Sequence, residues 1–391
     1  MRPTALKLTA GLVLFCGLSS AVKAQTADPI NVVTTAVPFL RISPDARSGG
    51  MGELGVATSA DAYSGLWNAG KVAFNKSRGG VGATYTPWMK SIVNDVYLAN
   101  VTGYFKIDDE GTSAMHGGVR YFSLGDIQFT DGSGVITGDF RPREFGVDLG
   151  YSRKLGEKNG VGITLKYINS NLTGGAVTPS GTYKSGSAVA ADLAYYHNGV
   201  GASGTGWSFG AVMSNLGSKI AYTDNATAKD FIPANLGLGA NYTRKFNATN
   251  KLSLGLEANK LLVPTPPDVT NTTALAEYRS KGVVGSWFSS FGDAPGGFNE
   301  ELKEFTLSAG AEYTYNEQFS LRAGYFYENK AKGNRRYATA GLGVNYNLFH
   351  FNFAYIVPTG AGVSQNPLSN TLRFSVVFDF GNGGEKKKAD K

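Results

Sequence analysis

The sequence predicts an all-β fold, a transmembrane antiparallel β-barrel of about fourteen strands with an N-terminal segment plugging its lumen. Three observations carry this. The segment Thr371 to Phe380 sets Leu372, Phe374, Val376, Phe378 and Phe380 on one side and Thr371, Arg373, Ser375 and Asp379 on the other. Only a strand separates residues this way, and a face that is oily opposite one that is charged fits lipid outside and water inside. Similar runs recur at roughly ten-residue intervals, and the connections between them alternate short and long. The stretch before the first run does not alternate at all.

Residues 1–24 read as a secretory signal peptide: Arg2 and Lys7, an apolar stretch from Leu8 to Leu18, then Val22-Lys23-Ala24 before Gln25. No later segment reaches the roughly 18 continuous apolar residues of a spanning helix, so membrane insertion must use strands. The single cysteine, Cys16, lies in this leader behind Phe15, where a lipoprotein signal has a small residue. The exported chain then has no thiol for disulfides or metal, and backbone pairing must hold it. Of the formal charge of +7, Arg2, Lys7 and Lys23 leave with the leader, and the remaining +4 does not point to nucleic acid.

Residues 25–76 contain Pro29, Pro38 and Pro44, then Gly49-Gly50-Met51-Gly52, Gly55 and Trp67-Asn68-Ala69-Gly70. Such a segment cannot pair as a lipid-facing strand and belongs in water or inside the barrel. It is read as a lumen plug, with Arg41, Asp45, Arg47, Trp67 and Asn68 as its candidate residues.

The barrel is expected over residues 77–380. Its alternating runs are Gly79 to Thr86, Tyr97 to Ile107, Ser113 to Leu124, Glu144 to Leu155, Val161 to Asn171, Ser187 to His197 and Trp207 to Ile220. The second half adds Asn235 to Phe246, Lys251 to Leu262, Phe305 to Tyr315, Phe319 to Glu328, Tyr337 to Leu348, Phe349 to Val357 and Thr371 to Phe380. Charges keep to one phase: Asp148, Lys166, Glu257, Glu312 and Arg322 all oppose the Leu, Val, Ile and Tyr faces of their strands. A lysine or arginine facing mid-bilayer costs roughly 2–4 kcal/mol, so one phase error would be expensive. The inward charges line a polar lumen, either pairing with one another or meeting a solute. The 52 glycines and the 20 tyrosines and 23 phenylalanines are assigned to tight turns and interfacial girdles.

Tight links such as Gly156 to Gly160 and Asn316 to Gln318 alternate with excursions such as Gly125 to Arg143 and Val263 to Glu304. Short periplasmic turns and long outer loops follow, and an even strand count puts both ends in the periplasm. In the longest loop Val283, Val284, Trp287, Phe288 and Phe291 share a helical face, a candidate protein-docking surface that competes with packing on the barrel's own rim. Residues 381–391 form a polar periplasmic tail whose Lys386, Lys387 and Lys388 read as a solvated end.

The stretch Asn31 to Gly55 (NVVTTAVPFLRISPDARSGGMGELG), followed by Val56 to Ala62 and Trp67-Asn68-Ala69, resembles the start of the PorV family of outer-membrane barrels in the type IX secretion system. Phe291 to Phe298 (FGDAPGGF) and Glu300-Glu301-Leu302 extend the resemblance, and the FadL group of fourteen-stranded barrels with an N-terminal hatch is similar in turn. One departure stands at Asn68-Ala69-Gly70, where the family has Asn-Pro-Ala, which loosens the expected hatch turn. The resemblance implies a non-enzymatic outer-membrane protein without cofactors. Its implied partners are the large translocon barrel, the C-terminal domains of exported cargo, a sortase-type attachment complex and outer-membrane lipid. The alternative is a FadL-like transporter of hydrophobic small molecules.

Other motifs do not hold. Gly199, Gly201 and Gly204 have dinucleotide-loop spacing but sit in a strand-to-strand turn, and Gly65, Gly70 and Lys71 lack the hydroxyl of a phosphate loop because Val72 follows. His116, His197 and His350 are isolated, without metal spacing or a nucleophile beside them.

Overall fold

The computed structural model describes residues 31–88, 93–175, 177–178, 181–224, 229–267, 270–359 and 371–382. The expected signal peptide and the tail beyond Asn382 lie outside these residues. Fourteen strands close into one antiparallel barrel in chain order. They are β1 Ser77–Pro87, β2 Val96–Lys106, β3 Ser113–Leu124, β4 Arg143–Lys154, β5 Asn159–Asn171, β6 Gly186–Asn198 and β7 Gly206–Gly217. After these come β8 Asn235–Lys245, β9 Asn250–Leu261, β10 Thr306–Tyr315, β11 Phe319–Tyr327, β12 Arg336–Tyr346, β13 Phe349–Pro358 and β14 Leu372–Asn382. β14 therefore runs two residues into the stretch expected to be tail. Pairing of β14 back onto β1, from Ser77 opposite Asn382 to Tyr85 opposite Phe374, completes the cylinder and leaves no open edge in the membrane. Among the described residues no helix is long and apolar enough to span a bilayer.

The period-2 phasing places Val147, Leu149, Leu165, Leu256 and Leu321 outward and exposed, while Asp148, Lys166, Glu257, Glu312 and Arg322 point inward and are buried. One wall pair departs from regular register. Between β6 and β7 the pairing shifts after Ala191, Asn215 takes a left-handed backbone (φ 56°), and its N–H donates to Asp192 Oδ1 at 2.7 Å. Beyond this bulge Leu216 and Gly217 still pair with β6, and β7 ends at Gly217, three residues before the alternation suggests.

Residues 31–76 lie against the inward faces of the strands. The segment begins at the long-loop end, where Asn31 N–H donates to Ala331 O and Ala36 N–H to Phe231 O. It packs Phe39 against Leu98, Phe122, Ile168, Ala188 and Ile220, crosses the middle of the lumen, and leaves at the short-turn end directly into β1. The start of β1 and the end of β14 both lie at the short-turn end, as an even strand count requires, while Asn31 stands at the opposite mouth because the segment threads the cylinder.

Glycine explains how it fits. Only backbone surfaces free of Cβ atoms allow two main chains to come this close. A Cβ added at Gly324 on β11 would lie 2.2 Å from Gly52 N, at Gly310 on β10 2.3 Å from Met51 O, and at Gly210 on β7 2.4 Å from Val56 O. Gly162 on β5 likewise faces Ala69, and Gly341 on β12 faces Gly50. Part of the glycine excess assigned to turns is therefore a belt of inward strand positions moulded to the inner segment.

Candidate functional site

The inner segment is held by ionic and backbone contacts placed on very short elements. Asp45 caps α1 (Ala46–Gly49) by accepting from Ser48 N–H at 2.8 Å, and its other oxygen accepts from Trp67 Nε1 at 2.7 Å. Trp67 closes α2 (Ser64–Trp67), so one carboxylate ties two turns of the segment together. Arg47 reaches outward from α1: Nε and Nη2 donate to the Glu312 carboxylate at 3.0 Å each, and Nη1 donates to Asp61 at 2.8 Å. Arg322 Nε donates to the same Glu312 at 2.7 Å. Glu257 accepts from the N–H groups of Gly55 and Val56 at 2.9 and 2.8 Å. Asn68 donates to Val56 O and to Tyr195 O on β6, and accepts from Gly70 N–H. Asn68 thus fixes the turn expected to be loosened at Asn68-Ala69-Gly70, and Gly70 passes so close to Gly160 that a Cβ on Gly160 would sit 2.3 Å from Gly70 O.

Four of the five residues singled out from the sequence, Asp45, Arg47, Trp67 and Asn68, meet in this central layer. Arg41 does not. It lies nearer the long-loop mouth, 3.6 Å from Glu328. Sequence reasoning missed Glu53, whose carboxylate accepts from Arg373 Nη1 at 2.7 Å and from the Tyr337 hydroxyl at 3.3 Å. No local pattern marks Glu53, since both partners are more than 280 residues away.

The central layer separates two spaces. Toward the long loops a cavity of about 440 Å³ is lined by Phe39, Trp67, Trp88, Phe122 and Tyr337 together with Arg120 and Arg373. Arg120 Nε and Arg373 Nε and Nη2 have no hydrogen-bond partner among the described residues. Toward the short turns a more polar cavity of about 600 Å³ is lined by Arg47, Asp61, Glu312, Arg322, His350 and Asp379. The wall charges mostly satisfy one another: Lys166 lies 2.6 Å from Asp192, and Arg322 pairs with Glu312. Lys71, the lysine of the near phosphate-loop spacing, is buried and donates to Gly55 O and Thr58 Oγ1. Among the described residues no group of His, Cys, Asp or Glu is arranged to hold a metal ion.

The loop between β9 and β10 carries α3 (Thr272–Ser280), α4 (Val283–Ser289) and α5 (Phe298–Lys303). Its base is tied to the barrel rim. Lys260 on β9 donates to Glu301 at 3.0 Å and Glu304 at 2.5 Å, and Lys332 donates to Glu300 at 2.6 Å and Glu304 at 3.0 Å. Lys219 Nζ donates to the carbonyls of Arg279 and Lys281. With the base locked, α4 leaves Val284 and Phe288 on one exposed face, Phe288 at 70 %, with Phe291 beyond its end. Val283 and Trp287 are half-buried, so the five residues do not form one uniform surface. Phe298 and Leu302, one turn apart on α5, are also exposed and add to the apolar residues of the loop. The turn residues Pro295-Gly296-Gly297 interrupt the helical window and hide the contribution of α5 from pattern reading.

Glu300 responds to its setting: the hydrogen bond from Lys332 holds its carboxyl below the ordinary 4.5. A carboxylate lowered on folding stabilises above its unfolded pKa, and that contribution is lost as pH falls through the folded value. The loop base is therefore expected to stay anchored from pH 7 to pH 5 and to loosen below 4.5. Hydrogen exchange over Phe298–Lys303 at stepped pH checks this, and Lys332→Met is expected to move the onset upward.

A closed fourteen-strand barrel with lipid-facing aromatics, short turns at one end and long loops at the other defines an outer-membrane protein of a Gram-negative bacterium. The sequence profile of type IX secretion system protein PorV matches residues 24–268. The chain belongs to that family. No curated protein matches it. Among solved structures it is similar to the Ralstonia pickettii toluene transporter TbuX, with 12% identity over 87% of this chain and 98% of that one, at a TM-score of 0.52. It is also similar to the CymD monoaromatic hydrocarbon channel, with 13% identity over 87% and 98% of the two chains, at a TM-score of 0.51. At these identities the likeness concerns the fold.

Proposed function

We propose that the protein is a non-enzymatic component of type IX secretion that binds the large translocon barrel and the C-terminal domains of exported cargo, and passes cargo to the attachment complex at the cell surface. The observation that favours this is the outer loop: an exposed apolar face on a base fixed by two lysines and three glutamates. Exposed aromatic and aliphatic side chains on a rigid support suit protein recognition, since little conformational freedom is lost on docking. The inner segment crosses the middle of the lumen between two cavities, which supports a docking role for the exposed outer loop rather than for the interior.

Changing Trp287 and Phe288 together to alanine is expected to abolish co-purification of a giant outer-membrane barrel while the variant keeps its folded, heat-resistant form. Full recovery of the translocon with the double variant would remove the loop from this role. A second reading is transport of hydrophobic small molecules, favoured by the aromatic cavity of about 440 Å³ behind the long loops. Uptake of such molecules into liposomes by the purified protein, combined with failure to capture any secretion partner, would establish that reading instead.

A further inference from the structure

Thirteen of the fourteen strand pairs join neighbours in the chain, but the last, β14 on β1, joins segments about 300 residues apart with no connecting loop. Closing it costs the entropy of the whole intervening chain, so this seam is where the cylinder is expected to open first. The inner segment meets the seam with a directed chain of hydrogen bonds. Ala46 N–H donates to Ser375 Oγ on β14 at 2.8 Å. Ser375 Oγ lies 2.8 Å from Thr84 Oγ1 on β1, Thr84 Oγ1 donates to Tyr63 Oη at 2.9 Å, and Tyr63 Oη donates to Ala83 O on β1 at 2.8 Å. With the Ser375 hydroxyl donating to Thr84, every proton in the chain has one acceptor. Tyr63 Oη is also 3.4 Å from Val376 O, so one hydroxyl touches the main chain of both closing strands.

The space for this ring is made by an absent side chain. A Cβ on Gly82 of β1 would come 2.8 Å from Tyr63 Cζ. Tyr63, Thr84 and Ser375 are all buried, where an unmet polar group is costly. A second tie, Arg373 on β14 to Glu53 of the segment, lies one inward position further along.

We propose that the inner segment is the clasp of the barrel: Tyr63, relayed through Thr84 and Ser375, holds the first and last strands together. The segment enters β1 directly, so it runs along the inner wall beside β1 and presents Tyr63 to both edges. This role is independent of what the outer face binds.

The test is amide hydrogen exchange on the full-length protein in detergent, comparing Y63F and S375A with the unaltered chain. Each variant removes one hydroxyl and keeps the packing. Exchange at β1 and β14 is expected to rise about five- to tenfold with β7, β8 and β9 unchanged, as for a lost buried hydrogen bond acting locally. The double variant is expected to match either single one, since both break the same chain. A covalent seam, Val81→Cys with Phe378→Cys directly opposite in register, is expected to restore protection in Y63F. Unchanged exchange at the seam, an equal rise in every strand, or no rescue by the cross-link would each overturn the clasp.

Discussion

Gly324→Val is expected to prevent formation of the native barrel. Its Cβ would stand 2.2 Å from both Gly52 N and Met51 C, main-chain atoms with no flexible end to swing aside. Gly52 cannot retreat, because it holds a left-handed backbone (φ 71°) pressed against Tyr325. Ordinary overpacking costs about 1–3 kcal/mol where side chains can shift, and here neither chain can, so the loss exceeds that range. Heat-modified migration on gels, which separates folded from unfolded barrels, is expected to show a folded fraction reduced at least about tenfold. Gly132→Ala, where no atom lies within 4 Å, is the matched control and is expected to behave as the unaltered protein.

Glu312→Ala is expected to have the next largest effect. Its carboxylate takes three charge-assisted hydrogen bonds, two from Arg47 and one from Arg322, and all three side chains are largely buried. Removing one member of such a cluster strands the others, at a cost of roughly 3–5 kcal/mol. The inner segment is expected to lose its seat against β10 and β11, which limited proteolysis between Ser59 and Lys76 detects. Replacing Arg47, Glu312 and Arg322 together by methionine or leucine is expected to recover more than half of the loss, because the desolvation cost of the charges disappears with them. The exposed pair Arg141 and Asp126 should be removable without measurable change.

The strands were legible because lipid imposes a rule that nothing local overrides: outward side chains must be apolar, so alternation marks each of the fourteen strands between Ser77 and Phe380. Errors fall where tertiary contacts intervene. The register of β7 shifts where Asp192 and Asn215 build a bulge, two residues before the strand ends at Gly217, and neither residue announces it. The glycine belt was invisible because alternation treats glycine as neutral at either face. Its purpose depends on what lies opposite, as at Gly310 and Met51, more than 250 residues apart. Partners could not be read from phase alone: Lys260 shares the outward phase of Leu254 and Leu256, yet it is buried because Glu301 and Glu304 of the loop close over it. On α4 the helical face was readable, yet which of its residues stay uncovered depended on the loop fold. Val284 and Phe288 do, while Val283 and Trp287 are half covered.

The path of residues 31–76 has a consequence for topology mapping. Because Asn31 is pinned beside Ala331 while β1 starts at the other mouth, an epitope inserted just ahead of Asn31 would meet antibodies added to intact cells. The same epitope inserted in the Phe246 to Thr249 turn would stay hidden until the envelope is broken. For Asn31 and the start of β1 to stand at opposite mouths, residues 31–76 must traverse the full thickness of the bilayer inside the closed cylinder.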